Sequence, residues 1–298
     1  MRRIKLLREF GVKMFAADFL ASNVRLPKIT ARWKDRVMLE WLKEHYADVI
    51  EKYTDRKEPR SKGECPVWSM WWQGEDSLPE VIRVCFANTR KHCGNHPFNV
   101  ITQENFREYV NLPEYILAKA EAGIISLTHL SDIIRAYLLS HWGGMWLDAT
   151  VLVTRDIDFA PGYWTIRREE DPHEFNVSMK RWNICVQRAV KGNLLWNFVL
   201  DMWLEYWKRQ ESLADYVLTD YMTALAFEVL PECRRVFEGV PLSNPAFDDL
   251  QPLLNDEWDA GKWEELSRET QYFKLTYKHQ YRKMKHGRKT FYGHVLGC

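Results

Sequence analysis

The order of apolar and polar positions in the middle of the chain predicts strands that alternate with helices. An apolar run at 67–72 ends at a Gln-Gly pair and predicts the first strand. Ser77 and Glu80 follow with the spacing of a capping box, so we expect Ser77 to cap the next helix. A short apolar run at 98–101 predicts the second strand.

The same alternation continues with the most strongly apolar part of the chain. Helical spacing over 128–142 is followed by Gly143-Gly144 and then by an apolar run at 145–153, which predicts a third strand. Strands separated by helices indicate an α/β fold with a largely parallel sheet. Mainly helical segments are expected in the second half, at 194–209, 214–229 and 248–254.

The beginning of the chain differs from the rest in pattern. Residues 1–50 have helical spacing, and the polar stretch 51–64 predicts a surface loop. We therefore expect residues 1–64 to form a helical N-terminal extension and residues 65–298 to form one compact domain. A chain of 298 residues is long enough for this arrangement.

Charge and composition exclude several classes of protein. The chain has 42 Lys and Arg against 41 Asp and Glu, so its net charge gives no reason to expect a nucleic-acid partner. No apolar run is long enough to span a membrane, and the six cysteines are expected to be reduced thiols. We expect a cytoplasmic protein. Basic residues are concentrated at 1–36, which has net charge +7, and at 271–298, which has no acid.

Two charged residues lie in a helix that is apolar on nearly every side. Asp132 and Arg135 are three positions apart in the predicted helix 128–142, so they lie close together on it. Buried charges need a partner of opposite sign or a ligand. The residues alone leave both interpretations open, an internal ion pair or a ligand site at the edge of the helix.

The strand that follows this helix also contains one isolated charge. Asp148 is the only charged residue in the apolar run 145–153. Ligands of open α/β sheets bind at the carboxyl ends of the strands, where a carboxylate can hold a cation or a ribose hydroxyl. The alternative is that Asp148 only caps a loop at the end of the strand.

These residues together resemble the sugar-nucleotide signature of one glycosyltransferase group. Ser131-Asp132-x-x-Arg135 is followed, after seven residues, by Gly143-Gly144-x-Trp146-x-Asp148. The group has the GT-A fold and includes the capsular polysaccharide synthesis glycosyltransferases, the fungal initiating mannosyltransferases and the clostridial glucosylating toxins. The capsular branch is the most similar, also in segments 68–76 and 274–278, and the resemblance extends over about residues 65–280.

The resemblance implies a GT-A-like, mainly parallel nucleotide-sugar-binding sheet with flanking helices. It also implies roles for particular residues. Asp132, Arg135 and Asp148 would bind the sugar, the phosphates or the ribose of the donor. The remaining donor-binding residues would lie at the first and third strands and in the late segment. Trp71 or Trp72 would stack on the nucleobase, and the others would be Gln73, Gly74, Trp146, Thr276 and Lys278.

The resemblance further implies a divalent cation, Mn²⁺ or Mg²⁺, held by Asp148, Thr150 and His279. Relatives have a second Asp where this chain has Thr150, and a neutral threonine is a poorer ligand. The metal would then be held through water, or mainly by Asp148 and the donor diphosphate. A literal D-x-D occurs at Asp156 and Asp158, but it lies outside the motif's register, so we favour Asp148.

The function that follows from the resemblance is transfer of a hexose, with retention of anomeric configuration. The donor would be a nucleotide sugar such as UDP-glucose or UDP-galactose, and the acceptor a growing bacterial capsular polysaccharide. Asp220 would stabilise the reaction or bind the acceptor. A lipid-linked acceptor would bring the basic segment 1–36 to the inner face of the membrane as a peripheral contact.

Two other functions remain open from the residues alone. A glycoside hydrolase would use two carboxylates, for which Asp148 and Asp220 are candidates. A degenerate, non-catalytic protein that binds a sugar nucleotide would have lost its metal at Thr150.

Overall fold

A computed structural model describes residues 2–23, 27–59, 65–172 and 174–295. Its strands are short and belong to one central sheet and two small two-stranded sheets. In chain order they are β1 (Val67–Met70), β2 (Phe98–Ile101), β3 (Gly144–Leu147), β4 (Val151–Val153), β5 (Trp164–Thr165), β6 (Val186–Ala189), β7 (Tyr272–Lys274), β8 (Met284–Lys285) and β9 (Arg288–Lys289).

The central sheet has the strand order β2-β1-β3-β6-β5. β1 is parallel to β2 and to β3, whereas β6 is antiparallel to both β3 and β5. Four strands therefore run in one direction and β6 runs against them. This confirms the predicted mainly parallel α/β class.

Helices pack on both sides of this sheet. They are α1 (Arg2–Asn23), α2 (Pro27–His45), α3 (Ala47–Glu51), α4 (Glu80–His92), α5 (Phe106–Tyr109), α6 (Glu114–Glu121), α7 (Leu127–His141), α8 (Leu194–Arg209), α9 (Leu218–Val229), α10 (Pro231–Glu238), α11 (Leu250–Leu253), α12 (Ala260–Ser267) and α13 (Phe291–Val295).

Alternation along the central strands creates two apolar layers. Trp68 and Trp146 point to the layer that contains α7, α8 and α9, while Met145 and Leu147 point to the layer that contains β4 and β7. All four side chains are buried. A large aromatic core thus accounts for many of the 14 tryptophans of the chain.

The predicted strand 145–153 is wrong in one respect, because it is two strands that belong to different sheets. β3 ends at Leu147, and the N–H of Val151 donates to the carbonyl of Asp148 at 2.9 Å, which closes a turn. The chain then enters β4, which pairs with β7. A continuous apolar run does not distinguish one buried strand from two, and the turn places Asp148 at the carboxyl end of β3.

The predicted capping box is also not formed. α4 begins at Glu80 with Pro79 as its N-cap, while Ser77 lies in a preceding 3-10 turn. The hydroxyl of Ser77 donates to the carbonyl of Gly74 at 2.8 Å and accepts from Nε1 of Trp71 at 3.1 Å. Ser77 therefore orients a side chain at the end of β1 instead of capping the helix.

The N-terminal helices pack against the same core as α8 and α9. Phe10 and Met14 of α1 are buried, and the ring of Phe10 meets Trp41 of α2 edge-on at 5.1 Å. Residues 60–64 lie outside the described chain, so the division at residue 65 into an extension and a domain stays a prediction. No helix within the described residues is long and apolar enough to cross a membrane.

Gly144 allows β3 to start directly beside the residue that precedes β1. Its φ is +101°, and a Cβ there would lie 2.2 Å from the carbonyl oxygen of Pro66. That oxygen accepts the N–H of Met145 at 2.8 Å. This close approach of Gly144 to Pro66 helps to set the alignment of β3 with β1.

We expect Gly144→Ala to destabilise the protein by more than the matched variant Gly162→Ala. Gly162 has φ +107° but nothing within 4 Å of a built Cβ, so its variant should cost only the conformational strain, about 1–2 kcal/mol. Gly144→Ala adds a backbone overlap that should cost a further ~2 kcal/mol. Denaturant unfolding measures both, and equal losses would contradict this packing.

Candidate nucleotide-sugar site

Helix α7 carries two charged groups into the interior at one end of the central sheet. Ser126 caps α7 by accepting the N–H of His129, and the helix packs between β3 and α8. Nη1 of Arg135 donates to Oδ1 of Asp132 at 2.8 Å, and the Arg135 side chain is only 5% exposed. The internal ion pair, one of the two interpretations that their spacing left open, is therefore present.

Arg135 also reaches the end of β3. Its Nη2 donates to Oδ1 of Asp148 at 2.9 Å, and its guanidinium lies 4.9 Å from the centre of the Trp146 ring. Nε1 of Trp146 donates to the same oxygen of Asp148 at 2.9 Å. Arg135, Trp146 and Asp148 thus hold one another in place.

A fourth charged group completes the cluster, and the sequence analysis did not identify it as a site residue. Lys274 ends β7, opposite Val151 of β4, and its Nζ lies 2.7 Å from Oδ2 of Asp148. A single lysine in the apolar run Tyr-Phe-Lys-Leu was a signal for a buried cation. The argument applied to Asp148 in its own apolar run could have been applied here.

Burial and mutual attraction set the ionisation of the cluster. Burial raises the pKa of Asp132, and the charge of Arg135 only partly offsets this. Burial would also raise the pKa of Asp148, but the charges of Lys274 and Arg135 outweigh it and hold that pKa well below its usual range. Burial would lower the pKa of Lys274, yet the charge of Asp148 raises it. Asp148 is therefore a carboxylate and Lys274 an ammonium near neutral pH.

This cluster forms the floor of a cavity of about 680 Å³, a size typical of sites for small molecules and cofactors. Most of the predicted site residues line it. They are Trp71, Trp72, Gln73, Asp132, Arg135, Trp146, Asp148, Thr150, Thr276 and Lys278.

Aromatic side chains lie on one wall of the cavity. Trp71 follows β1, and its ring meets Tyr277 of the late segment edge-on at 5.4 Å. Trp72 packs against Phe106 at 5.2 Å. The late segment and the end of β1 thus lie on the same side of the cavity, although about 200 residues separate them in sequence.

Three predicted residues do not line this cavity. Gly74 lies in the turn behind Trp71, where its positive φ and its hydrogen bonds to Ser77 shape the backbone. His279 is exposed and lies beside Tyr281. Asp220 lines a second cavity.

The second cavity adjoins the first, and Asp248 lines both. It has a volume of about 230 Å³, and Asp220 lies in its wall on α9. Nε1 of Trp182 donates to Oδ1 of Asp220 at 3.0 Å, and Nδ2 of Asn176 donates to Oδ2 at 3.3 Å. Burial raises the pKa of Asp220 to about 6.

The side chains proposed for a metal do not make a good site for a divalent cation. Both oxygens of Asp148 already accept from Arg135, Trp146 or Lys274. An ion on Oδ2 at the usual ligand distance would lie within about 5 Å of the Lys274 ammonium and be repelled by it. Within the described residues no three His, Cys, Asp or Glu side chains are grouped to hold a metal.

The literal D-x-D segment lies apart from both cavities. Asp156 is 93% exposed and pairs with His92, with 2.9 Å between Oδ1 and Nδ1. Oδ1 of Asp158 accepts the N–H of Ala160 at 2.9 Å and so closes a local turn. Neither residue lines a cavity that contains Asp148 or Asp220.

Comparison with known proteins identifies the family of this chain. Residues 21–295 match the family described as capsular polysaccharide synthesis protein. The chain belongs to this family. The match includes both cavities and every predicted site residue, and it confirms the relationship implied by the sequence motif.

Two solved structures resemble the chain more distantly. The PaToxG glycosyltransferase is 14% identical with a TM-score of 0.40, over 81% of this chain and 94% of that one. The WbbM bifunctional glycosyltransferase is 7% identical with a TM-score of 0.38, over 80% of this chain and 50% of that one. A search of curated proteins gives no match.

The raised pKa of Asp220 predicts a pH-dependent difference between the protein and Asp220→Asn. The folded protein holds this proton up to a pKa of about 6, against 3.8 for an ordinary Asp. The stabilisation from the protonated carboxyl is therefore complete below about pH 4 and is lost as the pH rises through 6. Relative to Asp220→Asn, we expect the free energy of unfolding to fall by about 2 kcal/mol from pH 4 to pH 7.

Urea unfolding of both proteins at pH 4, 5, 6 and 7 measures this difference. Because both proteins share every other titrating group, their difference isolates Asp220. A constant difference across the four pH values would contradict the buried position of this carboxyl.

Proposed function

We propose that the protein is a retaining glycosyltransferase that moves a hexose from a nucleotide sugar to a growing capsular polysaccharide. The donor is a UDP-hexose such as UDP-glucose or UDP-galactose. The observation that carries the proposal is the cluster of Asp132, Arg135, Asp148 and Lys274 at the floor of a cavity with tryptophans on its wall. Family membership supports the polysaccharide as the product.

Each part of a nucleotide sugar has a counterpart in the cavity. Trp71 or Trp72 offers an aromatic face for stacking on the base, and Gln73 lies beside them. Arg135 and Lys274 offer N–H donors to phosphate oxygens, and Lys278 at the rim adds a further positive charge. Asp132 and Asp148 offer acceptors to sugar hydroxyls.

In the proposed reaction the bond between C1 of the hexose and the diphosphate oxygen breaks, and its electron pair stays on that oxygen. A hydroxyl oxygen of the acceptor forms the new bond to C1 on the same face. The hydroxyl proton passes to the departing oxygen, and the products are the extended glycan and a nucleoside diphosphate. The chain contributes positive charge near the leaving oxygens, where negative charge develops.

The second cavity is the proposed entry for the acceptor. It opens next to the first at Asp248, and its wall combines Trp182 with the polar groups of Asn176, Lys180 and Asp220. Hydrogen-bonding side chains suit the hydroxyl groups of a sugar. Asp220 would then bind an acceptor hydroxyl.

The glycoside hydrolase alternative has less support. Such an enzyme needs one carboxyl that donates a proton and a second carboxylate on the same bond. Asp148 cannot be the acid, because two cations keep it ionised. Asp220 lines the other cavity.

Contact with a membrane surface is a further part of the proposal. The basic segment 1–36 would face anionic lipid if the acceptor is lipid-linked. Phe10 and Met14 are buried in the core, whereas Leu7 and Val12 of the same helix are exposed, so the contact would use exposed apolar side chains together with basic ones.

Asp148→Asn should abolish sugar transfer, because it releases both Arg135 and Lys274 from their places. We expect UDP release from UDP-glucose or UDP-galactose, with a capsular oligosaccharide as acceptor, to fall by about a hundredfold or more. Asp156→Asn and Asp158→Asn are matched controls outside the cavities and should change the rate by less than about twofold.

Circular dichroism of each variant shows whether it is folded before its rate is compared. A folded Asp148→Asn variant that keeps more than about a tenth of the parent rate would contradict the proposed site. A parent protein that cleaves the capsular oligosaccharide without any nucleotide sugar, and that does not bind UDP, would favour the hydrolase.

A further inference from the structure

The carboxylate of Asp148 is shared by three donors from three different elements. Arg135 of α7 and Trp146 of β3 donate to Oδ1, and Lys274 of β7 donates to Oδ2. Oδ2, which has fewer donors than Oδ1 and would be the oxygen open to a metal ion, is therefore already bound to the ammonium of Lys274.

We propose that Lys274 takes the place of the divalent cation, so that donor binding and transfer need no metal. This inference rests on the proposed function and concerns how the same site neutralises the diphosphate. The ammonium of Lys274, together with Arg135, supplies the positive charge beside the leaving oxygens. Asp148 acts as a positioning residue that holds both cations.

The backbone fixes the position of Lys274. β7 is antiparallel to β4, and the N–H of Leu275 donates to the carbonyl of Thr150 at 2.9 Å. This ladder places the start of the Lys274 side chain next to the Asp148–Thr150 turn. The position does not depend on a flexible loop.

Lys274 also has a donor left for a ligand. Asp148 accepts one of its three N–H groups and the sulfur of Cys185 a second, which leaves one for a ligand, and 31% of the side chain is exposed in the cavity that it lines. A phosphate oxygen can therefore reach the ammonium without breaking its bond to Asp148.

Charge within the cluster is balanced before a donor arrives. Asp132 and Asp148 carry two negative charges, and Arg135 and Lys274 carry two positive charges. Lys278 lines the same cavity, and no carboxylate partner for it is found in the part of the chain that the structure describes. A bound diphosphate would thus meet the unpaired ammonium of Lys278 as well as Arg135 and Lys274, whose charges are paired.

Thr150 fits this arrangement. It follows Asp148 by two residues and lines the cavity. Because the Thr150 side chain is neutral, it adds no negative charge beside Asp148, which Lys274 already neutralises. The neutral Thr150 and the cationic Lys274 are then both consistent with a site that needs no metal.

Binding of UDP, measured by isothermal titration calorimetry, tests the proposal without relying on turnover. For the parent protein we expect the Kd in EDTA and the Kd in Mn²⁺ to agree within about twofold. Lys274→Met removes the charge and keeps the aliphatic stem, and should weaken binding in EDTA by about tenfold or more. Because that variant frees Oδ2 of Asp148, added Mn²⁺ should recover part of its affinity.

Two further variants keep the test decisive. Lys274→Arg retains the positive charge and should bind UDP in EDTA within about tenfold of the parent, with no gain from Mn²⁺. Lys285→Met is the matched control, since Lys285 lies on β8, outside the cavity, and pairs with Asp256. Its affinity for UDP should equal that of the parent.

The outcomes separate this inference from the proposed function. If the parent binds UDP only with Mn²⁺, Lys274 does not replace the metal, although the site still binds a donor nucleotide. If the parent binds neither UDP nor GDP under either condition, the proposed function fails and this inference fails with it. Both results can be read from the parent alone, even if Lys274→Met does not fold.

Discussion

The site depends on the need to neutralise one buried guanidinium. Arg135 is almost completely enclosed, and an unpaired charge in such a position would be strongly destabilising. Asp132 on the same helix and Asp148 at the end of β3 neutralise its charge from two sides. The interaction therefore fixes the distance between α7 and the carboxyl end of β3.

That constraint extends to the rest of the site through Asp148. Its second oxygen binds Lys274, so β7 must lie beside the turn that follows β3. The close approach of Gly144 to Pro66 fixes the start of β3 against β1, whose end carries the tryptophans of the cavity. Charge pairing in the interior and backbone contact at the sheet thus shape the same pocket.

The sequence predicted the parts of this arrangement that depend on local pattern. Asp132, Arg135 and Asp148 were identifiable because each is a charge in an apolar segment and because together they match the S-D-x-x-R and G-G-x-W-x-D motifs. Lys274 is also a charge in an apolar segment, but its partner is 126 residues away in the sequence. Only the pairing of β4 with β7, which no local pattern indicates, brings them together. The division of 145–153 into two strands was missed for the same reason, since both halves are apolar.

The most direct test of the account is a crystal structure of the protein with UDP. We expect the diphosphate to lie against Arg135 and Lys274, with the uracil beside Trp71 or Trp72. A nucleotide bound near Asp156 and Asp158, or with its phosphates away from both cations, would contradict it.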